Sequence, residues 1–288
     1  MRVLKQFFLI LFFIIFSNNY SFGQKKKIAK LPEHLKEISG LTFLNDTVLI
    51  AHNDGGNDAT LYFLNLLGVQ IHSVKVENAK NKDWEDITSD GKGYIYIADI
   101  GNNDNNRDNL CIYKINTFDI LKKESVIAEK ISIRYSEQKE FPPEASKLHF
   151  DSEALAYYND SLYVFTKCRT EPFDGKSFCY TIPTKPETYK LVKDFDLYIG
   201  NEGWWKDCVT GAEIKNNKAY ILTYNRIIIY TITKGKFKFS KNISLLTVSQ
   251  YESIAVNSKG LIYIADEKNK LLGGGNLYTV EEPKEKKK

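Results

Sequence analysis

Short runs in which apolar and polar residues alternate recur along most of this chain. Tyr94-Ile95-Tyr96-Ile97-Ala98-Asp99 and Leu261-Ile262-Tyr263-Ile264-Ala265-Asp266 are two of them. A period of two is that of a β-strand, whose successive side chains point to opposite faces of a sheet. Residues that tolerate positive φ punctuate the runs at Asp90-Gly91, Asn159-Asp160, Asn216-Asn217 and Ser258-Lys259-Gly260. Such pairs predict tight hairpins between the first and second strands of successive units.

The strands repeat as five units. Their starts read Glu37-Ile38-Ser39, Asp83-Trp84-Glu85, Asp151-Ser152-Glu153, Cys208-Val209-Thr210 and Gln250-Tyr251-Glu252. Glu85 leads to Asp99, Glu153 to Lys167, Thr210 to Tyr224 and Glu252 to Asp266, each at a separation of 14, and Ser39 leads to His52 at 13. A small residue precedes each of those second positions (Ala51, Ala98, Thr166, Thr223, Ala265), and a third segment supplies Tyr62, Tyr113, Tyr180, Tyr230 and Tyr278, a column suited to packing between sheets. Self-similarity of this kind predicts an all-β fold, a β-propeller of five blades. Units one and four run on into a fourth strand near 69–76 and 237–245. The last unit stops at Tyr278-Thr279-Val280, so the unassigned segment Lys26 to Leu31 is expected to complete it, closing the ring and removing an exposed edge. The intervals from Glu85 to Glu153 and from Glu153 to Thr210 are 68 and 57, against 42 from Thr210 to Glu252. They are read as loop insertions around 103–109, 138–149 and 169–177, with a sixth blade as the alternative.

The amino terminus departs from this pattern. Arg2 and Lys5 precede an unbroken apolar run from Phe7 to Phe16 and a polar stretch ending at Gly23. This predicts a signal peptide over 1–23 and export to the periplasm or the cell exterior. The run is too short to span a bilayer, so no membrane span is expected in the mature protein. Residues 24–280 then form one propeller domain and 281–288 a charged, solvated tail. The net charge of +4 comes from dispersed lysines, so a nucleic-acid partner is set aside, and a small molecule or an envelope protein is expected instead. Cys111, Cys168, Cys179 and Cys208 allow up to two disulfides in an exported chain, and Cys168 with Cys179, flanking one insertion, is the favoured pair. Their spacing does not suit a structural zinc site built from cysteines alone.

In a propeller the first strand of each blade lines the central channel. Glu37 with Ser39, Asp83 with Glu85, Asp151 with Glu153, and Gln250 with Glu252 are therefore expected to project together. His52, Asn53, Asp54, Asp99, Asn102, Lys167, Tyr224 and Asp266, at second-strand ends, fall near the same rim. Crowded carboxylates either rise in pKa or recruit a cation, and oxygen ligands from several strands favour calcium. Glu37, Glu85, Asp99, Glu153, Glu252 and Asp266 are the candidate metal ligands; the alternative is that these acids bond the next blade's amides or stay solvated. His52, in His52-Asn53-Asp54-Gly55-Gly56, is a candidate general base, with Glu85 and Glu153 the other candidate catalytic residues, although the same five residues also describe a wide turn. Trp204 and Trp205 are read as an exposed aromatic platform or as packing between blades. The nucleophile elbow, the zinc-protease helix and the phosphate-binding glycine loop are all missing from the sequence.

The phrases Glu37-Ile38-Ser39-Gly40-Leu41, Asp83-Trp84-Glu85-Asp86-Ile87, Tyr96-Ile97-Ala98-Asp99-Ile100-Gly101-Asn102-Asn103, Asp151-Ser152-Glu153-Ala154-Leu155 and Val209-Thr210-Gly211-Ala212-Glu213 resemble a family of exported bacterial β-propellers. That family is similar to the SdiA-regulated and phytase-like propellers and, more distantly, to the gluconolactonase type. The resemblance spans Glu37 to Tyr278. Phytase-like and lactonase propellers are calcium-dependent hydrolases with carboxylates at one mouth, so the resemblance implies ligand roles for Glu37, Glu85, Asp99, Glu153 and Glu252; the reaction is not carried over with it. The lactonase pattern of a channel glutamate, an asparagine and a late aspartate is matched approximately by Glu37, Asn102 and Asp266. Two functions are carried forward: a propeller binding a cation and a ligand or partner at its acidic mouth, and a calcium-dependent hydrolase of lactones or phosphoesters.

Overall fold

The computed structural model describes residues 20–22, 24–271 and 273–283. The Phe7 to Phe16 run and Lys284 to Lys288 of the tail lie outside them. Five small sheets form the propeller. Their innermost strands are Ile38–Asn45, Trp84–Ser89, Asp151–Tyr158, Val209–Lys215 and Tyr251–Val256, in blades 1 to 5. The ring closes as expected: Gln24–Lys30 pairs antiparallel with Asn276–Glu281 and supplies the fourth strand of blade 5. The two long intervals hold the fourth strands Glu129–Tyr135 and Phe195–Tyr198 and their loops, so the blades number five and not six. Among the described residues no helix is long and apolar enough to cross a membrane.

Local chemistry explains the hairpins. Asn159 and Asp160, and Asn216 and Asn217, all take positive φ between 48° and 59°, the conformation a two-residue hairpin needs. The period of two explains the core. Ile95 and Ile97 pack into the cluster between blades 1 and 2, whereas Tyr96 and Ala98, on the opposite face of the same strand, pack between blades 2 and 3. Ile227 and Ile229 likewise face blade 5 while Ile228 and Tyr230 face blade 3. A fifth cluster, with Leu41, Leu49, Ala255 and Leu277, seals blade 5 against blade 1. Each sheet is thus buried on both faces, and the ring is held by one apolar core per blade interface.

Every innermost strand carries a β-bulge at the same place. The pairing with the second strand skips Ser39, Glu85, Glu153, Thr210 and Glu252, the third residue of each repeat start. A bulge leaves its extra residue unpaired and re-aims the side chain, so this column can leave the alternation of its strand. In blades 1 and 4 the bulged residue bonds the neighbouring blade: Ser39 donates to the Glu85 carbonyl and Thr210 to the Tyr251 carbonyl, both at 2.6 Å. Thr210→Val keeps the shape and removes the buried hydrogen bond. It is expected to cost about 1 to 2 kcal/mol in denaturant unfolding; an unchanged midpoint would mean that this bond does not hold the blades.

The favoured Cys168–Cys179 bridge is not formed. All four cysteines are buried free thiols. Cys179 lies directly across the hairpin from Phe165 and packs between blades 3 and 4, while Cys168 sits three residues beyond that partner, in the following loop. Flanking an insertion in sequence does not put two residues opposite each other.

Candidate cation site at the channel mouth

The bulges of blades 2, 3 and 5 deliver Glu85, Glu153 and Glu252 to one end of the channel. There a cavity of about 220 Å³ is lined by these acids together with Ser39, Asp54, Asn103, Lys167, Arg169, Trp204, Tyr224, Gln250 and Glu267. Asp54 and Glu267 arrive from the residue just past the second strands Val48–Asn53 and Ile262–Asp266. Their N–H groups donate to the carbonyls of Glu37 and Gln250, which turns both chains over the mouth.

Oxygens of Asp54, Asp83 and Glu85 lie within 4.8 Å of one another. Two glycines leave room for them. A Cβ at Gly101 would fall 2.0 Å from Glu85 Oε1 and 2.5 Å from Asp83 Oδ2, and one at Gly55 would fall 2.5 Å from Asp83 Oδ1. Burial raises the Asp54 carboxyl to about 7, with Glu153 and Asp83 repelling its charge. Burial and Asp151 raise Asp83 to about 6 against the pull of Arg107. Glu85 is pushed well above the ordinary range by burial and by Glu153, Asp54 and Asp83, and Glu267 rises to about 8 by burial and by Asp54 and Glu37. These groups want protons or a cation.

The opposite wall is basic. Lys167 Nζ lies 3.0 Å from Glu153 Oε1 and over the rings of Trp204 and Tyr224, at 5.1 and 5.3 Å. Burial works against its charge, but Glu153, Tyr224 and Glu252 outweigh that and hold its pKa well above the usual lysine value. Arg169 donates to Asp151 Oδ2 at 2.7 Å, stands 3.5 Å from Glu153 Oε1 and lies 5.4 Å from the Trp204 ring. Trp204 is half-buried against the cavity and Trp205 is exposed beside it, so the pair forms an aromatic rim rather than packing between blades.

The remaining candidates fall elsewhere. Asp99 is paired with Arg107 at 2.7 Å and accepts the Asp83 N–H. Asp266 accepts from Ser249 Oγ, the Asn276 N–H and the Tyr278 hydroxyl, so its oxygens are committed within blade 5. Glu37, half-exposed, accepts from Asn57. Asn102 uses its N–H on Asp151 and its amide on the Phe150 carbonyl, tying blade 2 to blade 3. His52 is fully buried beneath Gly40, edge-on to Trp84 at 5.4 Å, with Nδ1–H donating to the Asn53 carbonyl; burial lowers it to about 4. It is a neutral imidazole of the core. At the centre of the ring, unpredicted, Asp86 accepts the N–H groups of Ile87 and Leu155 at 2.8 Å and of Ala212 at 3.3 Å, joining blades 2, 3 and 4. The repeat register falls at His52 and Asp266, two residues short of Asp54 and one short of Glu267, so the column of candidate ligands takes in neither.

No protein-family model matches the chain, and comparison with curated protein sequences gives no match. Among solved structures the chain is similar to glutaminyl cyclase from Myxococcus xanthus, at 14% identity over 89% of this chain and 95% of that one, with a TM-score of 0.53. It is similar to the PQQ-bound aldose sugar dehydrogenase from Streptomyces coelicolor at 11% identity, 90% and 98% coverage and a TM-score of 0.55. A gluconolactonase from Xanthomonas campestris aligns at 8% identity, 91% and 90% coverage and a TM-score of 0.45. At such identities the first two likenesses are likenesses of fold, and they establish that nearly the whole chain is a β-propeller.

Proposed function

We propose that this chain is an exported propeller, periplasmic or extracellular, that binds calcium at its channel mouth and holds a small anionic ligand or partner group beside it. The observation that carries the reading is the cluster of Asp54, Asp83 and Glu85 on a glycine-relieved wall. The donors are all oxygens, which suits a hard cation, and their irregular origin from two blades suits calcium better than magnesium. These three residues would hold the ion, which supplies positive charge that offsets their repulsion and polarises a bound oxygen. Lys167 and Arg169 give the ligand's anionic group a second counter-charge, and the Trp204 ring covers an adjoining apolar part. The resemblance of the repeat phrases to phytase-like propellers supports this reading.

A second reading, a calcium-dependent hydrolase of lactones or phosphoesters, is favoured by Glu267. With a pKa of about 8 it carries a proton at neutral pH at the cavity wall, where it can protonate a leaving oxygen.

Calcium titration by calorimetry tests the first reading. The wild type is expected to bind one ion at the mouth, and Asp54→Asn combined with Glu85→Gln to weaken that binding at least tenfold with the fold retained. Absence of heat together with an identical melting curve in chelator would sink it. For the second reading, lactone and phosphoester panels should lose turnover in Glu267→Gln; turnover untouched by that change removes Glu267 as the acid.

A further inference from the structure

We propose that His149, Cys168 and Asp174, none of which lines the channel-mouth cavity, form a second metal site on the blade 3 loops that takes zinc. Ligand atoms of the three side chains lie within 4.8 Å of one another. The Cys168 thiol donates to Asp174 Oδ1 at 3.2 Å and His149 Nε2 lies 3.0 Å from Asp174 Oδ2. One carboxylate therefore accepts from both a thiol and an imidazole. Sulfur, nitrogen and oxygen donors thus converge on a volume that a single ion can occupy in their place. Binding there turns the thiol into a thiolate and releases its proton to solvent, and with Nε2 as the ligand the ring proton that bonds Asp174 moves from Nε2 to Nδ1. His149 is 5% exposed and its Nδ1 makes no hydrogen bond, so the Nε2–H bond to Asp174 is the contact that sets the tautomer, and it is given up when the ion takes that nitrogen.

The donors are positioned before any ion arrives. Cys168 and Asp174 belong to the loop between the second and third strands of blade 3, and His149 precedes the first strand. Thr170 Oγ1 lies 3.2 Å from Cys168 Sγ and accepts the Asp174 N–H, while the Lys176 N–H donates to Asp174 Oδ1 at 3.0 Å. The Phe178 ring stacks on the imidazole at 4.0 Å and fixes its plane. Such supporting contacts orient metal ligands in the same way as the ligands orient the metal. A thiolate and an imidazole select a borderline cation such as zinc over calcium, the opposite preference to that of the oxygen-only mouth. Three protein ligands leave a tetrahedral ion one exchangeable position. His149 also borders a cavity of about 570 Å³ with Phe150, Phe178 and Glu137.

Cobalt(II) added to the metal-stripped full-length chain tests this. The expected result is one cobalt per chain with thiolate-to-metal charge-transfer absorption, displaced by one equivalent of zinc and unaffected by excess calcium. Cys168→Ser should abolish the band. His149→Ala and Asp174→Asn should each weaken zinc binding at least tenfold, so that any one folded variant of the three suffices; Glu85→Gln should leave binding unchanged. A wild type without the band overturns the proposal, as does a band that persists in any folded variant of the three at wild-type affinity or disappears in Glu85→Gln.

Discussion

Asp86→Leu is expected to destabilise the propeller by about 3 to 6 kcal/mol. The substitution removes the acceptor of three backbone N–H groups, from Ile87, Leu155 and Ala212, in a place where the residue is wholly buried. Each buried donor left without a partner costs roughly 1 to 3 kcal/mol. The three donors belong to blades 2, 3 and 4, so the loss falls on the contacts that hold the inner strands at their common centre. Asp86→Asn removes only part of the acceptor set. Ile87 is bound through Oδ1 and Leu155 and Ala212 through Oδ2, so the amide keeps one acceptor oxygen and turns an NH2 donor towards the N–H on the other side, and it is expected to cost about 1 to 3 kcal/mol, less than leucine. Denaturant unfolding of the two variants reads both numbers. A leucine variant as stable as the wild type would mean that water takes over the three donors.

In the absence of divalent cations, stability is expected to fall as the pH rises from 5 to 8. Asp54 is raised by burial, and by Glu153 and Asp83, from 3.8 to about 7, and Asp83 and Glu267 are raised to about 6 and about 8. A folded-state pKa above the unfolded value means that the proton favours folding. The contribution is complete below about pH 4, where both states are protonated, and is lost as the pH rises through the folded pKa values, where charge must be carried in a crowded cavity. For Asp54 a rise of roughly three units corresponds to about 4 kcal/mol. In a domain of this size the combined loss amounts to a melting shift on the order of 10 °C. Calcium competes with those protons, so it should flatten the profile and bind more tightly at pH 8 than at pH 6. Asp54→Asn should also reduce the slope in chelator. A level profile in chelator would mean that the mouth carboxyls are solvated and carry no strain, and the calcium reading would lose its physical basis.

What the sequence determined by itself is the architecture. Alternation of period two, turn pairs such as Asn159-Asp160 and Asn216-Asn217, and an unfinished last unit are local or counting signals, and each corresponds to a feature of the folded ring. They are legible because a strand's faces and a hairpin's φ values depend on neighbours in the chain. The acidic column was legible too, since Glu85, Glu153 and Glu252 do line one mouth. The tertiary structure decided which acids are left wanting a cation. Arg107 and Arg169 reach back from the loops after the second strands of blades 2 and 3 to take up Asp99 and Asp151, and Lys167 takes up Glu153. Blade 5 satisfies Asp266 with its own hydroxyls and amides, and His52 is buried under Gly40. Asp54 and Glu267 enter the mouth through turns closed within their own blades on the Glu37 and Gln250 carbonyls, and the residues after them, Gly56 and Lys268, bond to the Asn81 and Lys36 carbonyls of the neighbouring blades. The alternation pattern records which face of a strand is apolar; the charge balance of the channel depends on side chains that converge from different blades, and that convergence exists only once the ring has closed.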